Sequence, residues 1–386
     1  MSANNYDVIV IGVGSMGSAS CYGLANRGYK VLGIDQFDSP HQWGAHAGQS
    51  RIIRKAYFEG RDYVPLLKRA YKDWHQLEEQ TGEQVFFRTG LLYAGPADHF
   101  VMKGLKESAS LYDIKLDYLD LREMRTRFPQ FIVPGNFEMI FEADAGFITP
   151  EKAITLLKRE AAKKSAVIHS NEIVLEWKKG TDGITVITDK STYHSKKLVI
   201  TAGAWSAKML HQLGTSLKIT RQVVVWLRPP GEGSFSAPDF PCWMLADHKR
   251  KGPLYGFPFL PEEKFGKPEG VKFSWHYPGR ETDPDKVSRQ VDEFETDALI
   301  RELAEYIPAF SNTAISAVKT CLYANSPDEN FIIDHLPGFD GDVVIACGFS
   351  GHGFKFIPVV GEILADLAIK GKTDLPADFL SLKRFQ

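Results

Sequence analysis

The sequence predicts an α/β fold in which a Rossmann-like dinucleotide-binding domain is interleaved with a mixed-sheet α+β domain. Three observations lead there. The chain opens on a strand, glycine turn, helix and strand that ends in an acid. Its middle is a run of separate aromatic-rich strands, and its tail returns to strand, glycine loop, helix. Length agrees, since 386 residues favour two domains, or one with a large insertion, over a single compact core.

The opening unit is DVIVIGVGSMGSASCYGLANRGYKVLGIDQF. It reads as a buried parallel strand at Val8 to Ile11, a turn, a helix to about Gly28 and a second strand ending at Asp35. Gly12 permits the tight turn, Gly14 lets a pyrophosphate approach the backbone, and Gly17 lets helix and strand pack closely. The helix N-terminus then offers N–H groups and partial positive charge to phosphates. Asp35 lies eighteen residues past Gly17, near the roughly 20-residue offset at which a carboxylate accepts ribose hydroxyls. It argues against a ribose 2′-phosphate. The unit by itself does not separate FAD from NAD, and a glycine-rich turn without a ligand is the plainer alternative.

Next come HQWGAHAGQSRIIRKAYFEGRDY (41–63) and a helix whose stripe Leu66, Leu67, Ala70, Tyr71, Trp74 and Leu77 has the spacing of a core face. Residues 87–96 read as a strand. A helix is expected from Thr149-Pro150-Glu151, with a cap residue and then proline at the first position. Short strands follow to Thr201, with a hairpin turn at Asp182-Gly183 and a close-approach turn at Ala202-Gly203-Ala204. From Arg221 to about His276 the strands RQVVVWL, PCWML, PLYGFPF and VKFSWHY indicate a mixed or antiparallel sheet. A helix over about Val291 to Tyr306 precedes the tail DVVIACGFSGHGFKFIPVVGEILADLAIKGK. The expected division is 1–85, 147–220 and 322–386 for the dinucleotide-binding domain, and 86–146 and 221–321 for the second. No internal repeat or low-complexity linker is seen.

Composition narrows the partners. Lysine plus arginine (46) nearly balance aspartate plus glutamate (48), with net charge -2 and no basic block, so neither nucleic acid nor an anionic membrane is expected. A small molecule is the better partner. The start MSANNYDVIVIGVG has no basic region or cleavage site, and its apolar run is far short of the ~20 residues of a membrane span. A cytoplasmic protein is expected. Cys21, Cys242, Cys321 and Cys347 have no CxxC or metal-ligand spacing, which suits free thiols in a reducing compartment and no metal.

The motifs GVGSMG, RIIRKAYFEG, LVITAGAW, YGFPF, KFSWH, KTCLY, SPDENFIID and GFSGHGFKF together resemble the monomeric sarcosine oxidase and N-methyltryptophan oxidase family, within the D-amino-acid-oxidase-like superfamily. The likeness covers nearly the whole chain, and the last three motifs are the specific ones. It implies a monomer with an FAD domain and a mixed-sheet substrate domain. It implies oxidation of N-methyl amino acids such as sarcosine or N-methyl-L-tryptophan: hydride passes to flavin, oxygen is reduced to hydrogen peroxide, and formaldehyde and the demethylated amino acid are released.

The resemblance also implies roles for residues. Cys321, which on residue type alone is a small buried hydrophobe, stands where the family links its flavin covalently. Arg51 or Arg54 could favour its thiolate, and Arg51 is expected at the catalytic and cofactor site. The family reads GSHHGDTR where this chain reads GAHAGQSR. His46 is kept, whereas Ala47, Gln49 and Ser50 replace histidine, aspartate and threonine, so slow or incomplete attachment is expected. Arg54 and Lys355 match the carboxylate-binding pair, although either alone reads as a surface ion pair. Tyr255, His276 and Tyr323 match pocket positions, with core packing as their plainer role. Lys272 matches the oxygen-activating lysine; by pattern alone it would be an exposed residue on an alternating strand. Gly348, Gly351, His352, Gly353 and Lys355 are expected along the flavin, with Ser50, Gly203 and Trp205 on the cofactor path. A nicotinamide dehydrogenase and a flavin-binding protein without turnover are the alternatives.

Overall fold

A computed structural model of the chain describes residues 4–210, 213–277 and 279–385. The expected domain ranges also take in 1–3, 211–212, 278 and 386, which lie outside the described residues.

Strand β1 (Asn5–Ile11), helix α1 (Ser15–Ala25) and strand β2 (Val31–Ile34) form the opening unit. β1 and β2 pair in parallel, and β1 pairs in parallel on its other side with Thr192–Ile200. Val167–His169 extends the sheet beyond β2, and Val343–Cys347 extends it beyond Thr192–Ile200, both parallel. Ile332–His335 closes that edge antiparallel. Alternation along β1 serves both faces: Val8 and Val10 turn to the helices, Ile9 and Ile11 to the opposite core, as a sheet covered on both sides requires. Three helices, α1, Pro150–Lys163 and Ile357–Lys370, lie on the first face.

The helix Val64–Thr81 packs behind them. Its stripe Leu66, Leu67, Ala70, Tyr71, Trp74 and Leu77 is buried as its spacing predicts, each large side chain contributing roughly 1.5–3 kcal/mol. The hairpin forms between Val174–Gly180 and Gly183–Thr188, with Thr181 and Asp182 at its tip.

The second sheet has nine strands. Their order is Arg280–Glu281, Lys218–Leu227, Gly270–Trp275, Leu254–Leu260, Cys242–Leu245, Leu91–Pro96, Phe137–Glu142 and Asp117–Leu119, with Ile315–Asn325 also paired to Lys218–Leu227. Cys242–Leu245 and Leu91–Pro96 pair in parallel and the other pairings are antiparallel, the mixed sheet expected. A small antiparallel sheet of Arg51–Ile53, Gly146–Ile148 and Phe86–Phe87 lies apart from both. Ile315–Asn325 matters most for function. It carries Cys321 and Tyr323, and Asn325 at its end bridges to Phe349, next to the glycine loop of the first sheet.

Two local expectations change. Residues 87–96 are not one strand, because Gly90 at φ +72° turns the chain and its N–H donates to Ala145 O, so pairing restarts at Leu91. Helix Pro150–Lys163 starts where expected, but the Thr149 hydroxyl points to Val85 O at 3.4 Å instead of capping the helix.

Candidate active site

The nucleotide cradle follows from local sterics. A Cβ on Gly17 would lie 1.8 Å from Gly12 O, so only glycine lets α1 close on the turn, and Gly12 itself holds φ +86°. The first turn of α1 has no acidic residue and its cap, Gly14, has no side chain. Its N–H groups therefore have no side-chain partner to displace before meeting an anion. A Cβ on Gly14 would meet just the His46 ring, at 3.6 Å, and would stand in the wall of a cavity of about 260 Å³. Beside this turn Asp35 accepts N–H bonds from Val13 (2.7 Å) and Phe37 (2.9 Å). Burial pushes its carboxyl above the usual range despite those donors, and its remaining lone pairs are free for two hydroxyls. An anion site and a hydroxyl acceptor side by side in the wall of one cavity fit a dinucleotide. Arg51, Gly203, Trp205, Gly348, Gly351 and Gly353 line the same cavity.

A smaller cavity of about 60 Å³ adjoins it, and Arg51, Tyr323, Gly351 and Phe354 belong to both walls. Arg54, Tyr255, His276, Cys321, His352 and Lys355 are among its other lining residues, as is Glu59. Arg54 is 1% exposed. It forms an ion pair with Glu59 and donates to Ala56 O at 2.7 Å, and its buried Nε has no partner among the described residues. Burial raises the Glu59 carboxyl, but Arg54, His352, Lys355 and His276 outweigh it and hold the group at about 2. The Lys355 amine donates to His352 O at 2.7 Å. Burial, reinforced by Arg54 and opposed by Glu59, lowers it to about 7. His276 is pushed by burial to about 3 although Glu59 opposes this. It is therefore neutral, and its 3.9 Å approach to Glu59 is not an ion pair. Its Nδ1 lies 3.4 Å from Tyr323 OH.

Cys321, expected at the cofactor, lines the smaller cavity and not the larger one. Its Sγ lies 3.8 Å from Arg51 Nη2 and 3.5 Å from Ala45 O. Arg51 also donates to Ala45, Ala47 and Ser50 carbonyls at 2.8, 2.6 and 2.8 Å. Of the two arginines expected near this thiol, Arg51 is the one that approaches it. Arg54, in the lining of the same cavity, is engaged by Glu59 instead.

Other expected residues are placed differently. Lys272 is buried, not exposed, and it and Ser50 line neither cavity: the amine donates to Gly48 O (2.5 Å) and Ser50 O (2.6 Å) behind the wall. His352 borders the small cavity, not the large one, with Nδ1 2.6 Å from Tyr57 OH and Nε2 3.0 Å from Glu329 O. Gly353 has ordinary helical φ, and a short 3-10 turn, Phe354–Phe356, separates it from the helix. Glu59 escaped the sequence reading. It lies inside RIIRKAYFEG, five residues past Arg54, and an exposed loop acid would look the same.

A family model described as FAD dependent oxidoreductase matches residues 7–367. The chain is 38% identical over 381 residues to a monomeric sarcosine oxidase from Streptomyces avermitilis, spanning 98% of this chain and 97% of that one. It is 36% identical over 376 residues to an N-methyl-L-tryptophan oxidase from Salmonella heidelberg, spanning 95% of each. NikD, an unusual amino acid oxidase essential for nikkomycin biosynthesis, shares the fold at TM-score 0.84 and 23% identity, over 98% of both chains. L-proline dehydrogenase from P. horikoshii does so at 0.84 and 23%, over 99% of this chain and 98% of that one. With relatives of this identity aligned along nearly its whole length, the protein belongs to the FAD-dependent oxidoreductases, in the family of the monomeric sarcosine and N-methyltryptophan oxidases.

Proposed function

We propose that this chain is an FAD-dependent oxidase of N-methyl amino acids, with sarcosine and N-methyl-L-tryptophan as candidate substrates. Oxygen is the electron acceptor, and hydrogen peroxide, formaldehyde and the demethylated amino acid are the products. The observation that carries the reading is the junction of the two cavities at Arg51, Tyr323 and Gly351, with Arg54 and Lys355 both in the lining of the smaller one. In this reading the first sheet holds the cofactor and the second supplies the substrate wall. Nothing in the chain favours the nicotinamide alternative.

Bound flavin supplies an acceptor for two electrons and a centre that reacts with oxygen. The chain does the rest by position and field. Lys355 and the unpartnered Nε of Arg54 bind the substrate carboxylate. Burial that holds His276 at about 3 and Lys355 at about 7 also disfavours a substrate ammonium. The neutral amine, the form that can be oxidised, is thereby favoured. Tyr255, Tyr323 and His276 keep water from the reacting carbon. Gly348, Gly351 and Gly353 would let the backbone approach the flavin, since they line the larger cavity without side chains; a Cβ on Gly351 would strike the Tyr323 ring at 2.2 Å. Cys321 would hold the flavin covalently through its sulfur, which lies 3.8 Å from Arg51 Nη2. Lys272, behind the wall on the Gly48 and Ser50 carbonyls, would lend positive charge to the site where oxygen takes up charge, although burial pushes its amine well below the ordinary range.

The protein works as a monomer in the cytoplasm. Its four cysteines are free and buried, as a reducing compartment allows, and among the described residues no helix is long and apolar enough to cross a membrane.

The test is anaerobic bleaching of the flavin spectrum by sarcosine and, separately, by N-methyl-L-tryptophan, with a primary amino acid as control. Bleaching by either N-methyl compound and not by the control is expected, and the better substrate chooses the branch. A yellow protein that neither bleaches removes the substrate assignment.

A further inference from the structure

Lys272 poses an electrostatic problem. Its side chain is 1% exposed and, among the described residues, no carboxylate touches it. Its donors go to Gly48 O at 2.5 Å, Ser50 O at 2.6 Å and, more loosely, Ser50 Oγ at 3.4 Å. A buried ammonium held by carbonyls alone is poorly compensated. The charged and titratable groups that face it are Arg51, which opposes its charge, Glu151, which favours it, and the thiols of Cys321 and Cys242. Phe257 and Trp226 present ring faces at 4.6 and 5.6 Å.

Glu151 reaches the lysine through the backbone. The carbonyl of Gly48 and the N–H of Gln49 belong to one rigid peptide plane. The carbonyl accepts from Lys272, and the N–H donates to Glu151 Oε1 at 3.1 Å. The N–H of Gly48 donates to the same oxygen at 2.8 Å. One peptide is thus polarised between a carboxylate and an ammonium. The backbone would not hold this shape unaided. Gly48 has φ +109° and Gln49 φ +69°, and Ser50 N–H turns back to Gly48 O at 2.7 Å, a left-handed turn that costs a non-glycine residue energy. The Gln49 side chain fastens the other end. Its amide donates to Gly266 O (2.8 Å) and Pro268 O (2.9 Å) and accepts from Trp226 Nε1 (3.0 Å). That segment leads into Gly270–Trp275, the strand that carries Lys272.

We propose that Glu151 is a positioning residue for Lys272, its carboxylate supporting the ammonium through the Gly48–Gln49 peptide while Gln49 ties that loop to the lysine's own strand. The functional half of this rests on the oxygen-facing role of Lys272 given above. Gln49, which stands where the family reads aspartate, carries no charge, so the electrostatic support comes from Glu151.

The experiment is a pH titration of the Lys272 side-chain ¹³Cε resonance in the flavin-loaded protein, assigned by its loss in Lys272→Met. Glu151→Gln keeps an oxygen for both N–H groups and removes the charge. Its Lys272 midpoint is expected about one pH unit lower, the small end of what a nearby opposite charge does. Glu151→Asp, which keeps the charge, restores most of that shift. An unmoved midpoint in Glu151→Gln, or the same drop in both variants, overturns the proposal. Stopped-flow reoxidation of reduced flavin separates the two halves. Above both midpoints Glu151→Gln is expected to reoxidise about tenfold more slowly than wild type, with amine-driven reduction slowed less. If the midpoint falls but Lys272→Met reoxidises at the wild-type rate, support by Glu151 stands and the oxygen role of Lys272 falls.

Discussion

If Lys355 binds the substrate carboxylate as proposed, that binding is pH-dependent, and the size of the effect follows from the burial of the amine. The amine falls from the ordinary 10.5 to about 7, burial being the largest cause. At 1.36 kcal/mol per pH unit, keeping it charged in the unliganded protein costs about 5 kcal/mol. A bound carboxylate returns part of that by pairing with the charged form. The sign is then set: below about pH 7 the amine is already charged and affinity is level. Above it the amine must take up a proton to bind, so Kd rises up to tenfold per pH unit. His352 at about 4, His276 at about 3 and Glu59 at about 2 do not titrate in this window. The assay uses propionate, a carboxylate without an amine, and reads perturbation of the flavin spectrum from about pH 6 to about pH 9. Lys355→Met is expected to bind about 10–100-fold more weakly at the acid end, the worth of a charge-assisted hydrogen bond, with a flat pH profile. A flat profile in the wild type, or a wild-type slope in Lys355→Met, refutes the reasoning.

Three further outcomes are expected. Lys272→Met slows flavin reoxidation by oxygen at least tenfold, as loss of one preorganised charge does, and leaves anaerobic reduction by substrate nearly unchanged; rapid mixing with oxygenated buffer measures the first, and equal loss of both steps counts against the assignment. Cys321→Ser releases its flavin into the supernatant on acid precipitation, where the wild type retains it. Flavin still attached in that variant places the link elsewhere. Gly351→Ala must fit a Cβ 2.2 Å from the Tyr323 ring at φ +78°, so it loses roughly 1–3 kcal/mol and shows a lower Tm by differential scanning calorimetry; an unchanged Tm would mean that the loop relaxes freely.

The parts of the protein legible from the sequence are those built by neighbours in the chain. Gly12, Gly14, Gly17 and Asp35 lie within one strand, turn, helix and strand, and their roles follow from backbone sterics that act over a few residues. The core stripe of Val64–Thr81 likewise needs only helical periodicity. Likeness to a family extended the reading to Cys321, Lys272 and Lys355, which no local pattern marks. Tertiary structure decided what those residues face. Arg51 and Arg54 are the same residue type three positions apart, yet one approaches Cys321 and the other is committed to Glu59. The cage around Lys272 joins it to Gly48, more than 200 positions earlier, and through that peptide to Glu151 on a helix between them. Spacing encodes backbone geometry, which decays within a turn or two. A buried charge is governed by whichever groups folding brings within a few ångströms, and those partners are set by the packing of whole sheets and helices.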